Sequence, residues 1–215
     1  MAQIVSVNQA LEHLHQGDTV LVGGFLAVGT PEKLVDALVA KGTGGLTLVC
    51  NDTSFPDKGM GKLIVSKQAK KVIISYMGAN PEGARQMNAG ELEVELSPQG
   101  TLAERIRAGG AGLGGVLTPT GLGTVVAEGK QVLSIDGKEF LLEKALHADV
   151  ALLKAYKADR AGNLVFRRAA RNFNPIMATA ADLVIVEAEH IVEPGEIDPD
   201  QVMTPGIFVD YLVQG

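Results

Sequence analysis

Tryptophan is absent, and Phe, Trp and Tyr together make up 4% of the 215 residues. Stacking platforms for nucleic-acid bases are therefore poorly supplied. Basic residues are also few: 19 Lys and Arg stand against 25 Asp and Glu, a formal charge of −6. A net acidic chain is a poor general binder of polyanions, which argues against nucleic acid as the main partner. Cysteine occurs once, at Cys50. No intrachain disulfide can form, and nothing points to an oxidising compartment. Long apolar runs are missing too. The longest, Val20 to Val28, is interrupted by Gly23 and Gly24 and falls far short of the ~20 residues that span a bilayer. The first residues, MAQIVSVNQALEHLHQGD, place no basic residues ahead of an apolar run, so they read as no signal peptide. The expectation is a soluble, cytoplasmic protein with no membrane partner.

Several chemistries lack their residues. His13 and His15 lie on or beside the first predicted helix, and His147 and His190 are isolated. None has Cys or His partners at ligand spacing, so no metal is expected. No G-x-S-x-G nucleophile elbow occurs. Cys50 ends a predicted buried strand and reads as a structural thiol.

What is plentiful is glycine, 26 residues or about 12% against a typical ~7%. It has no G-X-Y period, so it implies turns and close backbone approach. With 46% hydrophobic and 20% charged residues, the chain is ordered and long enough for a real core. Ser6 and Gln9 fit a capping box ahead of a one-face helix carrying Val7, Ala10, Leu11 and Leu14, with Gly17 as its left-handed cap. Thr19–Val22 is a buried strand, Gly23–Gly29 a loop, and Thr30-Pro31 the start of a helix that stops near Gly42. Leu46–Cys50, Val72–Ser75, Val150–Leu153 and Leu183–Val186 are continuous apolar runs suited to central parallel strands. Asn80-Pro81 and Asn174-Pro175 open helices. Leu92, Val94 and Leu96 alternate with Glu91, Glu93 and Glu95, a strand with one solvated face. Thr101 and Glu104 suggest a second capping box, on a helix ending at Gly109-Gly110. Gly109 to Gly123 reads as a long loop. Val132–Ile135 and Glu139–Leu142 flank Asp136-Gly137, a hairpin with a type I′ turn. The fold class is therefore α/β: an open, mostly parallel sheet with helices on both faces and a small antiparallel hairpin insertion, in one domain over residues 1–215.

Ligands of open parallel sheets bind beyond the carboxyl ends of the strands. Those ends are Gly23–Gly29, Asn51–Phe55, Tyr76–Asn80 and Ser97–Gly100. In VGGFLAVGTP a strand meets a helix through Gly23, Gly24, Phe25, Leu26, Ala27, Val28 and Gly29. Its backbone N–H groups suit a phosphate, a carboxylate or a thioester oxyanion, although a plain tight turn accounts for the glycines equally well. The spacing fits neither G-x-G-x-x-G nor a P-loop. Asn51 and Gln99 are possible amide donors, or parts of an Asx-turn and of a helix approach. Arg160, Arg167, Arg168 and Arg171 cluster late in the chain. They read first as surface charge, with a patch for phosphates or for a partner's carboxylates as the alternative.

Together these stretches resemble the alpha (A) subunits of family I CoA-transferases, and within them the acetate/butyrate–acetoacetate (3-oxoacid) group. The likeness rests on Asp18-Thr-Val-Leu-Val-Gly-Gly-Phe25-Leu-Ala-Val-Gly29-Thr-Pro31, on Asn51-Asp-Thr, on ELEVELSPQGTLAERIRAGGAGLGGVLTPTGLGT from Glu91 to Thr124, on Arg171-Asn-Phe-Asn-Pro and on Thr204-Pro-Gly. It covers nearly the whole chain. It implies that the Gly23–Gly29 loop is a CoA and oxyanion site and that Asn51 and Gln99 are active-site amides. It also implies a heteromer, an alpha2beta2 assembly, in which the beta subunit supplies a catalytic glutamate from a Ser-Glu-Asn-Gly motif. That motif does not occur here, so no catalytic nucleophile is assigned in this chain. CoA or acyl-CoA would be a substrate, with no permanently bound cofactor. The competing reading is a sugar-phosphate isomerase or sugar-phosphate-binding regulator using the same loop for a phosphate. It would need a carboxylate or Lys base in the loops, where the strand ends offer amides. Wrong glycine spacing disfavours a nucleotide-binding Rossmann module, and the density of ligand-type loops disfavours a pure interaction protein.

Overall fold

Neighbouring residues of each central strand serve opposite layers of the molecule. In the computed structural model, which describes residues 2–215, β2 (Thr19–Val22) sends Val20 and Val22 into one hydrophobic layer and Leu21 into the other. β3 (Leu46–Val49) splits Leu48 from Val49 in the same way, and β4 (Ala69–Ile74) splits Val72 and Ile74 from Ile73. With both faces covered, the period-two signal is apolar on every residue, which is why these strands read as continuous runs.

β5 (Glu93–Leu96) forms one edge of the sheet. On the other side of β2 lie β9 (Ala148–Asp159), β11 (Ala181–Val192), β12 (Tyr211–Gln214) and β1 (Gln3–Ile4). The order is β1-β12-β11-β9-β2-β3-β4-β5, all parallel, with β10 (Leu164–Val165) antiparallel on β9. The chain leaves β2 in one direction through β3, β4 and β5, then returns to β2's other side with β9. The strand order thus reverses between β2 and β9, and a crevice opens at the carboxyl ends of such a switch point. The Gly23–Gly29 loop leaves β2 there.

Helices α1 (Val7–Leu11), α2 (Glu32–Lys41) and α3 (Gly61–Val65) pack on one face through Leu11, Leu34, Leu38, Leu63 and Ile64. α4 (Pro81–Asn88) follows beside α3, and the Gln86 side chain donates to the Ile64 carbonyl at 2.8 Å. α5 (Gln99–Gly110) and α6 (Asn174–Met177) cover the opposite face through Leu102, Ile106 and Met177. The expected α/β class, with helices on both faces, is what forms.

Local signals succeed where the partner is local. Ser6 and Gln9 make the capping box, Asn80 caps α4 with Pro81 behind it, and Gly42 ends α2 at φ +71°. Asp136 and Gly137 take φ +50° and +74°, the two positive values of a type I′ turn. Other boundaries differ. α1 stops at Leu11, and Leu14 is buried beyond it in the turns that lead through Gly17 to β2. Thr30 does not cap α2. A carboxylate from β11 does so instead, with Glu187 Oε2 accepting the N–H groups of Lys33 (2.8 Å) and Leu34 (3.3 Å). The Thr101–Glu104 capping box does not form, because α5 already starts at Gln99 after Pro98, which leaves Thr101 buried inside the helix. Asn174-Pro175 does open α6, with Asn174 as its first residue.

The expected Gly109–Gly123 loop contains β6 (Gly115–Thr118). It pairs with β8 (Lys138–Lys144), which pairs with β7 (Val132–Ile135), so the insertion is a three-stranded antiparallel sheet. Four residues that begin with a glycine carry too little pattern to announce a strand. β9 and β11 run for 12 residues each, far beyond their apolar centres, because they pair with each other past the end of β2 as far as Asp159 and Val192.

Candidate active site

After Val22 the chain keeps pairing for one residue, as Gly23 N–H donates to the Leu152 carbonyl at 2.9 Å. It then folds sharply back. Phe25 and Val28 exchange both backbone hydrogen bonds, at 3.0 and 2.9 Å. Between them Leu26 and Ala27 take φ +45° and +67°. This is a two-residue turn of the type that normally uses Asn and Gly, built here from side chains that pay for it in strain of roughly 1–3 kcal/mol each.

Three side chains from distant segments hold the turn. Asp52 Oδ2 accepts the Leu26 N–H at 3.0 Å. Asn172 Nδ2 donates to the Val28 carbonyl at 2.9 Å. Asn174 Nδ2 donates to the Gly29 carbonyl at 3.0 Å, while its Oδ1 accepts the Lys154 N–H at 3.0 Å. A Cβ on Gly23 would collide with the Asn174 side chain, and one on Gly29 with the Ala170 backbone. The glycines are therefore needed for contacts on the protein side of the loop. Of the loop's N–H groups, those of Gly23, Phe25, Leu26 and Val28 are engaged. Those of Gly24, Ala27 and Gly29 make no hydrogen bond among the described residues.

Asn51 and Gln99 are brought together. Gln99 Nε2 donates to Asn51 Oδ1 at 2.6 Å, and Asn51 Nδ2 donates to Asp52 Oδ2 at 2.6 Å. A chain of hydrogen bonds thus runs Gln99–Asn51–Asp52–Leu26, from the start of α5 through the end of β3 to the turn. The two amides have different standing. Asn51 is 1% exposed and its Oδ1 also takes the Ser75 hydroxyl at 3.3 Å. Gln99 is exposed. Only Gln99 can present its remaining N–H to a ligand, and Asn51 orients it. Beside them, a cleft of about 290 Å³ lies between Phe25, Gln99, Gly100, Phe173 and Ile176.

Cys50 lies beneath, its Sγ 3.9 Å from the Gly24 carbonyl. Burial, reinforced by the nearby Asp52 charge, pushes its thiol up to about 12. It stays protonated at neutral pH, which fits a structural thiol and not a nucleophile. No group of three His, Cys, Asp or Glu side chains placed for a metal ion occurs among the described residues.

The residue-level reading missed Asp52, Asn172 and Asn174 as parts of the site. All three lie in stretches that carry the family resemblance, but their bonds join positions 26, 144 and 145 residues apart, which local pattern does not reveal.

Residues 4–215 match the family model described as coenzyme A transferase. The chain belongs to the coenzyme A transferase family. This CoA-transferase chain is 52% identical over 211 residues to the acetate CoA-transferase subunit alpha of Escherichia coli K12, covering 98% of this chain and 96% of that one. It is 50% identical over 213 residues to the acetoacetyl-CoA:acetate/butyrate CoA transferase alpha subunit of Clostridium acetobutylicum, covering 99% and 98%. Among solved structures it superposes on an acyl-CoA transferase from E. coli O157:H7, in a thioester complex with CoA, with a TM-score of 0.90 at 21% identity. All of this chain is covered and 47% of that one, so it spans about half the length of that enzyme. Glutaconate CoA-transferase from Acidaminococcus fermentans gives a TM-score of 0.88 at 21% identity, covering 100% and 76%. At these identities the likeness concerns the fold. The sugar-phosphate alternative gains no support from these relatives. No helix among the described residues is long and apolar enough to cross a membrane.

Proposed function

We propose that this chain is the alpha subunit of a heteromeric CoA-transferase, moving CoA between a short-chain acyl-CoA, acetyl- or butyryl-CoA, and a carboxylic acid such as acetoacetate. The observation that carries the reading is the strained Phe25–Val28 turn, tied through Asp52 and Asn51 to Gln99. Strain that its surroundings over-determine is a mark of a preorganised site.

In this reading a glutamate of the beta subunit attacks the thioester carbonyl. The tetrahedral adduct expels CoA thiolate and leaves an acyl-glutamyl anhydride. The thiolate attacks the glutamyl carbonyl, releases the first acid as its carboxylate and leaves a glutamyl-CoA thioester. The second carboxylate reverses the sequence. Each adduct places negative charge on a carbonyl oxygen. The unpaired Ala27 N–H and the outward N–H of Gln99 are neutral donors fixed before that charge develops, and they need no reorganisation to meet it. Glycines 23, 24 and 29 let the loop lie close to its supports while Phe25, Leu26, Ala27 and Val28 face CoA. CoA is a substrate, and the residues of this site call for no permanently bound cofactor. An alpha2beta2 assembly in the cytoplasm follows from the same reading. So does a single alpha-type domain over 1–215, supported by the pairing of β1 with β12 across the chain's two ends.

The test is acyl exchange between acetyl-CoA and acetoacetate. The purified chain alone should show none, and adding a beta-type chain with the Ser-Glu-Asn-Gly motif should restore turnover. Robust exchange by the lone chain, or none by the pair, overturns the proposal.

A further inference from the structure

The late arginine cluster divides in the structure. Arg160 leaves it, bound to Glu193 at 2.7 Å. Arg167, Arg168 and Arg171 form no ion pair with a carboxylate among the described residues. The Arg167 guanidinium lies 5.2 Å from the centre of the Tyr156 ring, a contact that orients the group and leaves its donors free. Arg168 holds φ +53°, a conformation a long side chain adopts only when its surroundings impose it. Both arginines line a second cleft, of about 360 Å³, with Lys154, Tyr156 and Phe166. Val28 of the glycine loop, 50% exposed, also lines it. The two clefts therefore flank one turn, with Phe25 in the first and Val28 in the second. Lys154 and Tyr156 belong to the part of β9 that extends past the end of β2.

The charges are lopsided. Three cations line this cleft against one carboxylate, Glu189, in a chain whose formal charge is −6. Lys154 is partly spent, 3.0 Å from buried Glu187 and 3.8 Å from Glu189. The unspent charge is that of Arg167 and Arg168. Guanidinium donors fit phosphate oxygens in a bidentate fork. We infer that the Arg167–Arg168 cleft binds the phosphate groups at the nucleotide end of CoA while the thioester lies on the Phe25–Val28 turn. This rests on the CoA-transferase reading and adds the site that takes the substrate's charged end. Binding energy gained there is remote from the reacting carbon and is partly spent at it, so its loss appears in kcat/KM for the CoA substrate.

The experiment uses the enzyme assembled from this chain and its beta subunit, with acetyl-CoA and with S-acetylpantetheine, which has the same thioester and arm but no phosphates. Arg168→Asn suits the position because Asn tolerates positive φ. Combined with Arg167→Ala it should lower kcat/KM for acetyl-CoA roughly tenfold or more, the scale of one charged hydrogen bond. kcat/KM for S-acetylpantetheine, already low for want of the phosphates, should not fall further, and Arg168→Lys should recover part of the loss. Calorimetry on wild type and double variant should show the same split between CoA and pantetheine. Unmoved kcat/KM for acetyl-CoA with unmoved Kd for CoA, or equal shifts for both thioesters, overturn the inference. So does failure of the variant chain to co-elute with the beta subunit, which would make the patch a contact for a partner's carboxylates. A wild-type assembly that binds CoA through these arginines yet exchanges no acyl groups would instead refute the transferase reading and leave the cleft standing.

Discussion

The carboxylate of Asp52 holds the backbone N–H of Leu26 at 3.0 Å, across 26 positions of sequence. It is buried to 1% exposure and also accepts Asn51 Nδ2 at 2.6 Å and the Ser54 N–H at 2.7 Å. Three donors converge on one carboxylate, so its geometry is fixed. What it fixes is a turn whose two central residues would otherwise relax out of positive φ.

Asp52→Asn keeps the shape but replaces one acceptor oxygen with a donor. One of the three N–H groups must then face another. A buried donor left without a partner costs about 1–3 kcal/mol. The expected outcome is a stability loss of that size in a urea melt and a fall in kcat of the assembled enzyme, with KM for acyl-CoA little changed. Unaltered kcat would separate the turn's conformation from catalysis.

Gln99 and Asn51 should behave differently. Gln99→Ala removes an exposed donor, and loss of one oxyanion donor costs roughly 2.7–4 kcal/mol, or 10²–10³ in kcat, with little effect on stability. Asn51→Ala frees the exposed Gln99 Nε2 from its acceptor and leaves buried Asp52 one donor short. It should lower kcat by a smaller factor and cost about 1–3 kcal/mol of stability. Steady-state kinetics and denaturant melts on both variants check this. Equal stability losses with unchanged kcat would reduce both residues to turn supports.

How far the sequence carries the structure follows from the range of each interaction. The capping box at Ser6–Gln9 and the turn at Asp136-Gly137 are legible because every participating group lies within a few residues. The central strands are legible because both faces are covered. Glu187 as the cap of α2 is not, since it arrives from 154 residues away. Neither is β6, whose one strand partner is β8, about 25 residues on. The candidate site shows the same split. The glycine loop and the two amides stand at strand ends, where ligand-binding residues are sought. That Asn51 lies under Gln99, instead of beside it, depends on tertiary burial alone.

Gly24 tests what the loop's glycines are for. It has φ +132°, and a Cβ there would collide with Thr30 Oγ1. The obstruction thus falls on the protein side of the loop. Gly24→Ala should destabilise the chain through both backbone and collision, at least the roughly 1–3 kcal/mol of a residue forced into such a conformation. Adding Thr30→Ala should recover the collision part and leave the backbone part. Thermal melts of the single and double variants decide. Full stability in Gly24→Ala alone would show that the loop accommodates a side chain.

Arg105 fastens the small antiparallel sheet to the main one. Its Nη1 donates to Glu95 Oε1 on β5 at 2.7 Å and its Nε to the Lys144 carbonyl on β8 at 2.9 Å. The side chain is 8% exposed. Breaking a buried pair by removing one partner typically costs about 3–5 kcal/mol. Here Glu95 is 33% exposed, Lys71 still stands 3.1 Å from it and Lys130 2.6 Å from buried Glu143, so Arg105→Leu should fall below that range, at about 1–3 kcal/mol. The pH dependence identifies the cause. Burial acts to raise the Glu95 carboxyl, but Arg105, helped by Lys71, outweighs it and holds the group below the usual carboxylate range. A group depressed in the folded state adds stability above its unfolded value, about 4.3 for glutamate. That contribution disappears as pH falls through the lower folded value. The gap between wild type and Arg105→Leu should therefore be widest near neutrality and narrow below about pH 4. A gap that stays constant from pH 7 to pH 3.5 in urea melts would assign the whole effect to the Lys144 hydrogen bond and to packing, and none of it to the charge on Glu95.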